Sequence, residues 1–129
     1  MTTRTTVAIA GGGPAGASCA LALVRLGIPV GIVESSDGTG NPLGESLAPS
    51  ATPLFHALGV FAAVMATHPL PCHGNRSRWG DAAPAEHDFL RDPDGPGWHL
   101  DRPAFNAALL GAAATAGADC RLQTRVRSV

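Results

Sequence analysis

Apolar residues fall along this chain in runs of two kinds, short unbroken ones and longer ones at helical spacing. Val7-Ala8-Ile9-Ala10 and Val30-Gly31-Ile32-Val33 are short and unbroken, as buried strands are. Ala17 to Leu26 is apolar apart from Ser18 and Arg25, has the length of a helix and is stopped by Gly27. A helix apolar nearly all round is covered on more than one side, which places it between a sheet and a second layer, with Cys19 as a small core residue. From about Ser50 to Ala66, Leu54, Leu58, Phe61, Val64 and Met65 recur at helical spacing, and Gly59 divides the stretch in two. Asp101 caps a further helix: Arg102 and Pro103 open it, Phe105, Leu109, Leu110 and Ala113 form its apolar stripe, and Gly117 follows its end.

The intervening segments are less regular. Residues 35–50 and 67–75, rich in Gly, Ser, Pro and other turn formers, predict loops. Short strands are expected over 76–80, 87–90 and 98–100, with Trp79 and Trp98 packing a small sheet. Asp92, Asp94 and Gly95 fit no calcium loop and predict a turn. Residues 119–129 predict one or two strands, because Leu122, Thr124, Val126 and Val129 do not hold a period of two; a boundary near Gln123 or Thr124 accounts for that.

The first strand runs straight into Gly11-Gly12-Gly13-Pro14-Ala15-Gly16, then the first helix, then the second strand, which ends on Glu34. This is G-x-G-x-x-G in the strand–turn–helix–strand setting that gives it meaning. Gly11 permits the sharp turn, Gly13 lets a pyrophosphate approach bare backbone, and Gly16 lets the helix lie close on the strand. Pro14 suits the first helical turn, whose free N–H groups and dipole form an anion site. Glu34, eighteen residues after Gly16, has a carboxylate suited to a ribose hydroxyl and repels a 2′-phosphate. FAD or NAD is therefore expected, and NADP is not. About 85 residues separate Glu34 from the next strand near Cys120, where a plain NAD domain has one short helix. Such an excursion suits FAD, whose flavin half needs cover. The alternatives are an NAD-binding module of a dehydrogenase and a truncated, non-catalytic chain, marginally stable because its last strand exposes an edge.

Composition narrows the partners. The 129 residues suffice for one domain. Nine basic residues, all Arg, against ten acidic ones give a net charge of −1, which argues against nucleic acid and against an electrostatic membrane anchor. Cys19, Cys72 and Cys120 are far apart, as reduced thiols of a cytoplasmic protein are. No signal peptide or bilayer-length apolar run is visible. His68, Cys72 and His73 do not make a four-ligand site, so no metal is expected. His56, His87 and His99 are isolated in sequence, and Ser46 and Ser50 have no local base. No G-x-S-x-G elbow is present.

The glycine loop with Glu34, the GESLAP segment at 44–49, Trp79-Gly80 and GWHLDRPAFNAALLGAAATAGA at 97–118 together resemble the FAD-dependent monooxygenase superfamily, in its tryptophan-halogenase-like branch. The resemblance covers the whole chain but only the first third or so of a usual member. It implies an α/β, Rossmann-like FAD-binding domain over 1–129, glutathione-reductase-like, with a parallel sheet, incomplete at its C-terminus. It implies a flavin-dependent oxidoreductase in which NADH or NADPH reduces the flavin and O2 then oxidises a small organic or peptidyl substrate. The chain alone, without the later Gly-Asp cofactor motif and the substrate domain, is expected to be inactive. By the same resemblance Gly11, Gly13, Ala15 and Gly16 hold the pyrophosphate and Glu34 the adenosine ribose, and Pro14, Ser35, Glu45, Ser46 and Arg102 are also expected at the cofactor. No catalytic residue is assigned. Flavin halogenases of this branch carry a lysine near the flavin channel; this chain has none, which points away from halogenation.

Overall fold

A computed structural model describes residues 5–37, 44–80 and 83–128. The first sheet joins strands from both ends of the chain. Strands β1 (Val7–Ala10), β2 (Val30–Val33) and β8 (Asp119–Arg121) lie parallel in the order β1-β2-β8, with Val7 opposite Val30 and Ile32 opposite Cys120. Helix α1 (Pro14–Arg25) joins β1 to β2 and lies on the sheet.

Helix α4 (Arg102–Ala116) packs along α1 and leads into β8. Alanines at the contact, Ala17 and Ala20 of α1 and Ala113 of α4, are fully buried, and their short side chains let the helices approach closely. Ile32, Leu109 and Leu21 fill the space around them. Removal of this apolar surface from water, at about 25 cal/mol per Å2, is the main term holding the layers together. Asp101 caps α4 by accepting from the Ala104 N–H at 3.1 Å, and Gly117 ends it in the left-handed region at φ 115°.

The long excursion between β2 and β8 holds helices α2 (Ala51–Ala57) and α3 (Phe61–Met65), separated at Gly59, whose φ of 63° is left-handed. They close the core from the far side of α4, where Phe55 meets Phe105 edge-on with centroids 5.9 Å apart. The excursion also holds a second, antiparallel sheet of β3 (Glu45–Leu47), β7 (Gly97–Leu100) and β4 (Leu70–Cys72), in the order β3-β7-β4. Leu100 is buried and Leu47 and Trp98 half-buried against the common core. A hairpin of β5 (Gly74–Ser77) and β6 (Ala85–Asp88) stands apart, exposed throughout.

Several expectations are corrected. Cys19 is exposed: the buried stripe of α1 is Ala17, Ala20 and Leu21, and Cys19 sits off it, on the helix's open side. Trp79 is 84% exposed, whereas Trp98 is half-buried and donates from Nε1 to Thr52 Oγ1 at 3.1 Å. The loops expected over 35–50 and 67–75 contain β3 and β4; residues 38–43 of the first lie outside the described residues. Both strands have three residues, too few for a period to register, and β4 carries Pro71, tolerated because β4 is an edge. The last strand is only three residues long. Gln123 takes φ 50° beyond it, and Gln123 and Thr124 then donate to the carbonyls of Ser36 and Glu34, so pairing beside β2 continues without regular geometry.

Candidate functional site

The glycine loop lies where β1 ends and α1 begins. Gly11, at φ 104°, turns the chain away from the strand while its N–H bonds the Val33 carbonyl at 2.8 Å. Gly16 sits directly on that turn: a Cβ there would lie 1.9 Å from the Gly11 carbonyl oxygen. Gly13 is the N-cap of α1, in extended geometry, and a Cβ on it would meet nothing within 4 Å. Among the described residues no side chain caps this helix, and Pro14 occupies its first turn. Among the described residues the leading N–H groups therefore have neither an intrahelical nor a side-chain acceptor, and the dipole adds positive potential.

Glu34, half-buried at the end of β2, links this loop to the next segment. Its Oε2 accepts from the Gly12 N–H at 2.6 Å and its Oε1 from the Ser36 N–H at 2.7 Å, with Ser35 Oγ at 3.5 Å. The Ser36 and Gly12 N–H groups, in that order, hold its carboxyl below the ordinary value of 4.5 against a smaller opposing effect of burial. A carboxyl lowered on folding stabilises the fold fully above its unfolded value, and loses that contribution as pH falls through the folded value. The stability gap between the wild type and Glu34→Gln is thus expected to be constant above about pH 5 and to shrink below pH 4.5. Urea melts across pH 3–7 measure it, and a gap that does not change with pH contradicts the assignment.

A cavity of about 590 Å3 opens beside these groups. Gly12, Gly13, Glu34 and Arg102 supply polar lining, and Leu110, Cys120 and Leu122 an apolar wall. Arg102, Asn106, Leu110 and Ala114 are successive i, i+4 positions of α4, so one stripe of that helix faces the cavity. Arg102 is anchored by Asn106 Oδ1, 3.4 Å from its Nε, and by an ion pair from Nη1 to Glu45 Oε2. Burial, and secondarily the charge of Asp119, raises the Cys120 thiol above its ordinary value, so it stays protonated in the neutral range.

Of the residues expected at a cofactor, the structure brings Gly13, Glu34 and Arg102 to one cavity. Gly11 and Gly16 shape the loop from behind, Pro14 and Ala15 lie in the first turn of α1, and Ser35 is exposed beside Glu34. Glu45 and Ser46 lie outside the lining. Glu45 reaches it through Arg102, and Ser46 Oγ lies 2.7 Å from His99 Nδ1. The absence of a base near Ser46 in sequence is therefore not an absence in space, because β3 and β7 pair in register and make Ser46 and His99 neighbours. Asn106 and Cys120 were missed. The i, i+4 spacing from Arg102 could have found Asn106; nothing in the sequence could have found Cys120.

A helix start with no side-chain cap among the described residues, a carboxylate at the end of β2 and a partly apolar cavity beside them define a dinucleotide-binding α/β domain. The family model described as FAD binding domain matches residues 4–129, and the chain belongs to that family; its cofactor is FAD. The residues fit the group. Open space stands where Gly13 would carry a Cβ, and the same cavity is lined by the loop at the helix start, by the Arg102 cation and by apolar side chains that a heteroaromatic ring could pack against. The chain is 27% identical over 126 residues to the flavin-dependent halogenase rdc2 of Metacordyceps chlamydosporia, covering 96% of this chain and 23% of that protein. It is similar to the crystal structure of CmlS, a flavin-dependent halogenase, at 32% identity and TM-score 0.83, over all of this chain and 24% of that one. The p-nitrophenol 4-monooxygenase PnpA of Pseudomonas putida DLL-E4 shares the fold at 21% identity and TM-score 0.73, over 95% and 33%. The chain thus spans between about a quarter and a third of the length of these proteins. Among the described residues, no helix is long and apolar enough to cross a membrane.

Proposed function

We propose that this chain is the adenine- and pyrophosphate-holding part of a glutathione-reductase-like flavoprotein that oxidises a small organic or peptidyl substrate with O2, at the expense of NADH or NADPH. The observation that carries the reading is the single cavity shared by the uncapped start of α1, Glu34 and Arg102. FAD, when bound, supplies the redox chemistry. The chain's own residues bind and orient it. Gly13 and the first turn of α1 receive the pyrophosphate with Arg102 as counter-charge, Glu34 accepts from a ribose hydroxyl with its remaining lone pairs, and Leu110 and Leu122 exclude water from the base.

A second reading, halogenation, is favoured by the halogenases among the similar proteins. The lack of any lysine in these 129 residues speaks against it. The NAD-module alternative separates from the first reading by binding alone. Titration of the purified chain with FAD, FMN, NAD and NADP, followed by flavin fluorescence or calorimetry, is expected to give the order FAD first and FMN without detectable affinity, since FMN lacks the adenosine half. Equal affinity for FMN, or preference for NAD, overturns the reading.

A further inference from the structure

The Glu45–Arg102 pair crosses from the second sheet to the first turn of α4, and the two members stand differently to the cavity. Arg102 lines it and Glu45 does not. Arg102 keeps 30% of its side-chain surface accessible and Glu45 43%. A pair so exposed contributes little to stability on its own. Its consequence is geometric. A free arginine side chain has many rotamers, and freezing them on binding weakens affinity. Here the guanidinium is already held at Nη1 by a carboxylate and approached at Nε by Asn106. Nη2 has no partner among the described residues. The held edge and the unpartnered edge belong to one rigid plane, so fixing one aims the other.

We propose that Glu45 is a positioning residue: from outside the cavity it holds the Arg102 guanidinium in the orientation that receives an anionic phosphate, and it touches no part of the cofactor itself. This rests on the FAD reading above and sharpens it, since Glu45 stands in the family-resembling GESLAP segment yet acts only through Arg102. It also distinguishes Glu45 from a competitor for the guanidinium. A carboxylate occupying the phosphate's place would line the cavity, and its removal would strengthen binding.

ADP and adenosine are the probes, titrated calorimetrically against the wild type, Glu45→Gln, Glu45→Asp, Arg102→Ala and the Glu45→Gln/Arg102→Ala double variant, each checked for an intact thermal transition. Glu45→Gln is expected to weaken ADP binding roughly tenfold, as loss of an ordering contact to a charged group does, and to leave adenosine within about twofold. Glu45→Asp, which keeps the charge, is expected to recover part of the loss. In the Arg102→Ala background the same Glu45→Gln change is expected to alter ADP affinity by less than about twofold, the non-additivity that marks action through a shared partner. Equal losses in both backgrounds, equal losses for adenosine and ADP, or tighter ADP binding by Glu45→Gln each overturn the proposal. If Glu45→Gln fails to fold, Glu45→Asp and a Glu45→Asp/Arg102→Ala double variant take its place and decide by the same criterion. Failure of the wild type to bind ADP or FAD would instead remove the cofactor reading beneath it.

Discussion

Gly16→Ala is expected to destabilise the fold by about 3 kcal/mol or more, although helix propensity alone predicts a gain of about 1 kcal/mol from the same change. The two effects have opposite signs, so the experiment discriminates cleanly. Gly16 lies in the first turn of α1 where the helix rests on the turn out of β1. An added Cβ would sit 1.9 Å from the Gly11 carbonyl oxygen and 3.2 Å from Ile9 Cγ2. The first distance is far inside van der Waals contact, and the atom met is backbone. It cannot rotate away, so the start of α1 must lift from the sheet and disturb Ala17 and Ala20, which are fully buried against α4 and the strands. Shortening the side chain that is also met, as in Ile9→Ala/Gly16→Ala, is expected to give no rescue. Domains of this size hold only about 5–15 kcal/mol in total, so the midpoint of a urea melt should fall sharply. An unchanged or raised midpoint refutes the close-packing role.

How much of this was legible in the sequence depends on how far apart the interacting residues lie. The β1–α1–β2 unit and its glycine roles were legible, because each role is local: turn, helix start and strand end lie within thirty residues, and glycine's lack of a Cβ has few uses. The cap of α4 was legible for the same reason, with Asp101 and Gly117 bracketing a periodic run. What was not legible depends on pairing at long range. β3 and β4 exist because β7 offers them backbone partners, not because their own three residues favour extension. The Ser46–His99 contact and the Glu45–Arg102 pair come from that same strand register and from the turn between β7 and α4. Cys19 failed for a different reason. The composition of α1 is apolar enough to suggest cover all round, but α4 and the sheet cover only the stripe through Ala17, Ala20 and Leu21. Hydrophobicity reports what a helix tolerates, and the neighbours decide which face is used.

Gly13→Ser separates the two purposes that one motif serves. Gly13 is the N-cap of α1 at φ −69° and ψ −175°, ordinary extended geometry for any residue, and a Cβ there would meet no atom of the described residues within 4 Å. Serine is a better N-cap than glycine by a few tenths of a kcal/mol, because its hydroxyl accepts from a first-turn N–H. Removing a glycine also lowers the entropy of the unfolded chain. The variant is therefore expected to be as stable as the wild type or more so, by about 0.5 kcal/mol. Binding should move the other way. The open space at Gly13 borders the cavity that Arg102 and Glu34 also line, and the serine side chain would occupy it while its oxygen takes the N–H group a phosphate needs. FAD affinity is expected to fall about 100-fold, or ~2.7 kcal/mol, with the urea midpoint held or raised. A protein that loses stability and affinity together would show that Gly13, like Gly16, is a packing residue. One that keeps its affinity within about threefold would show that the phosphates do not approach the backbone there.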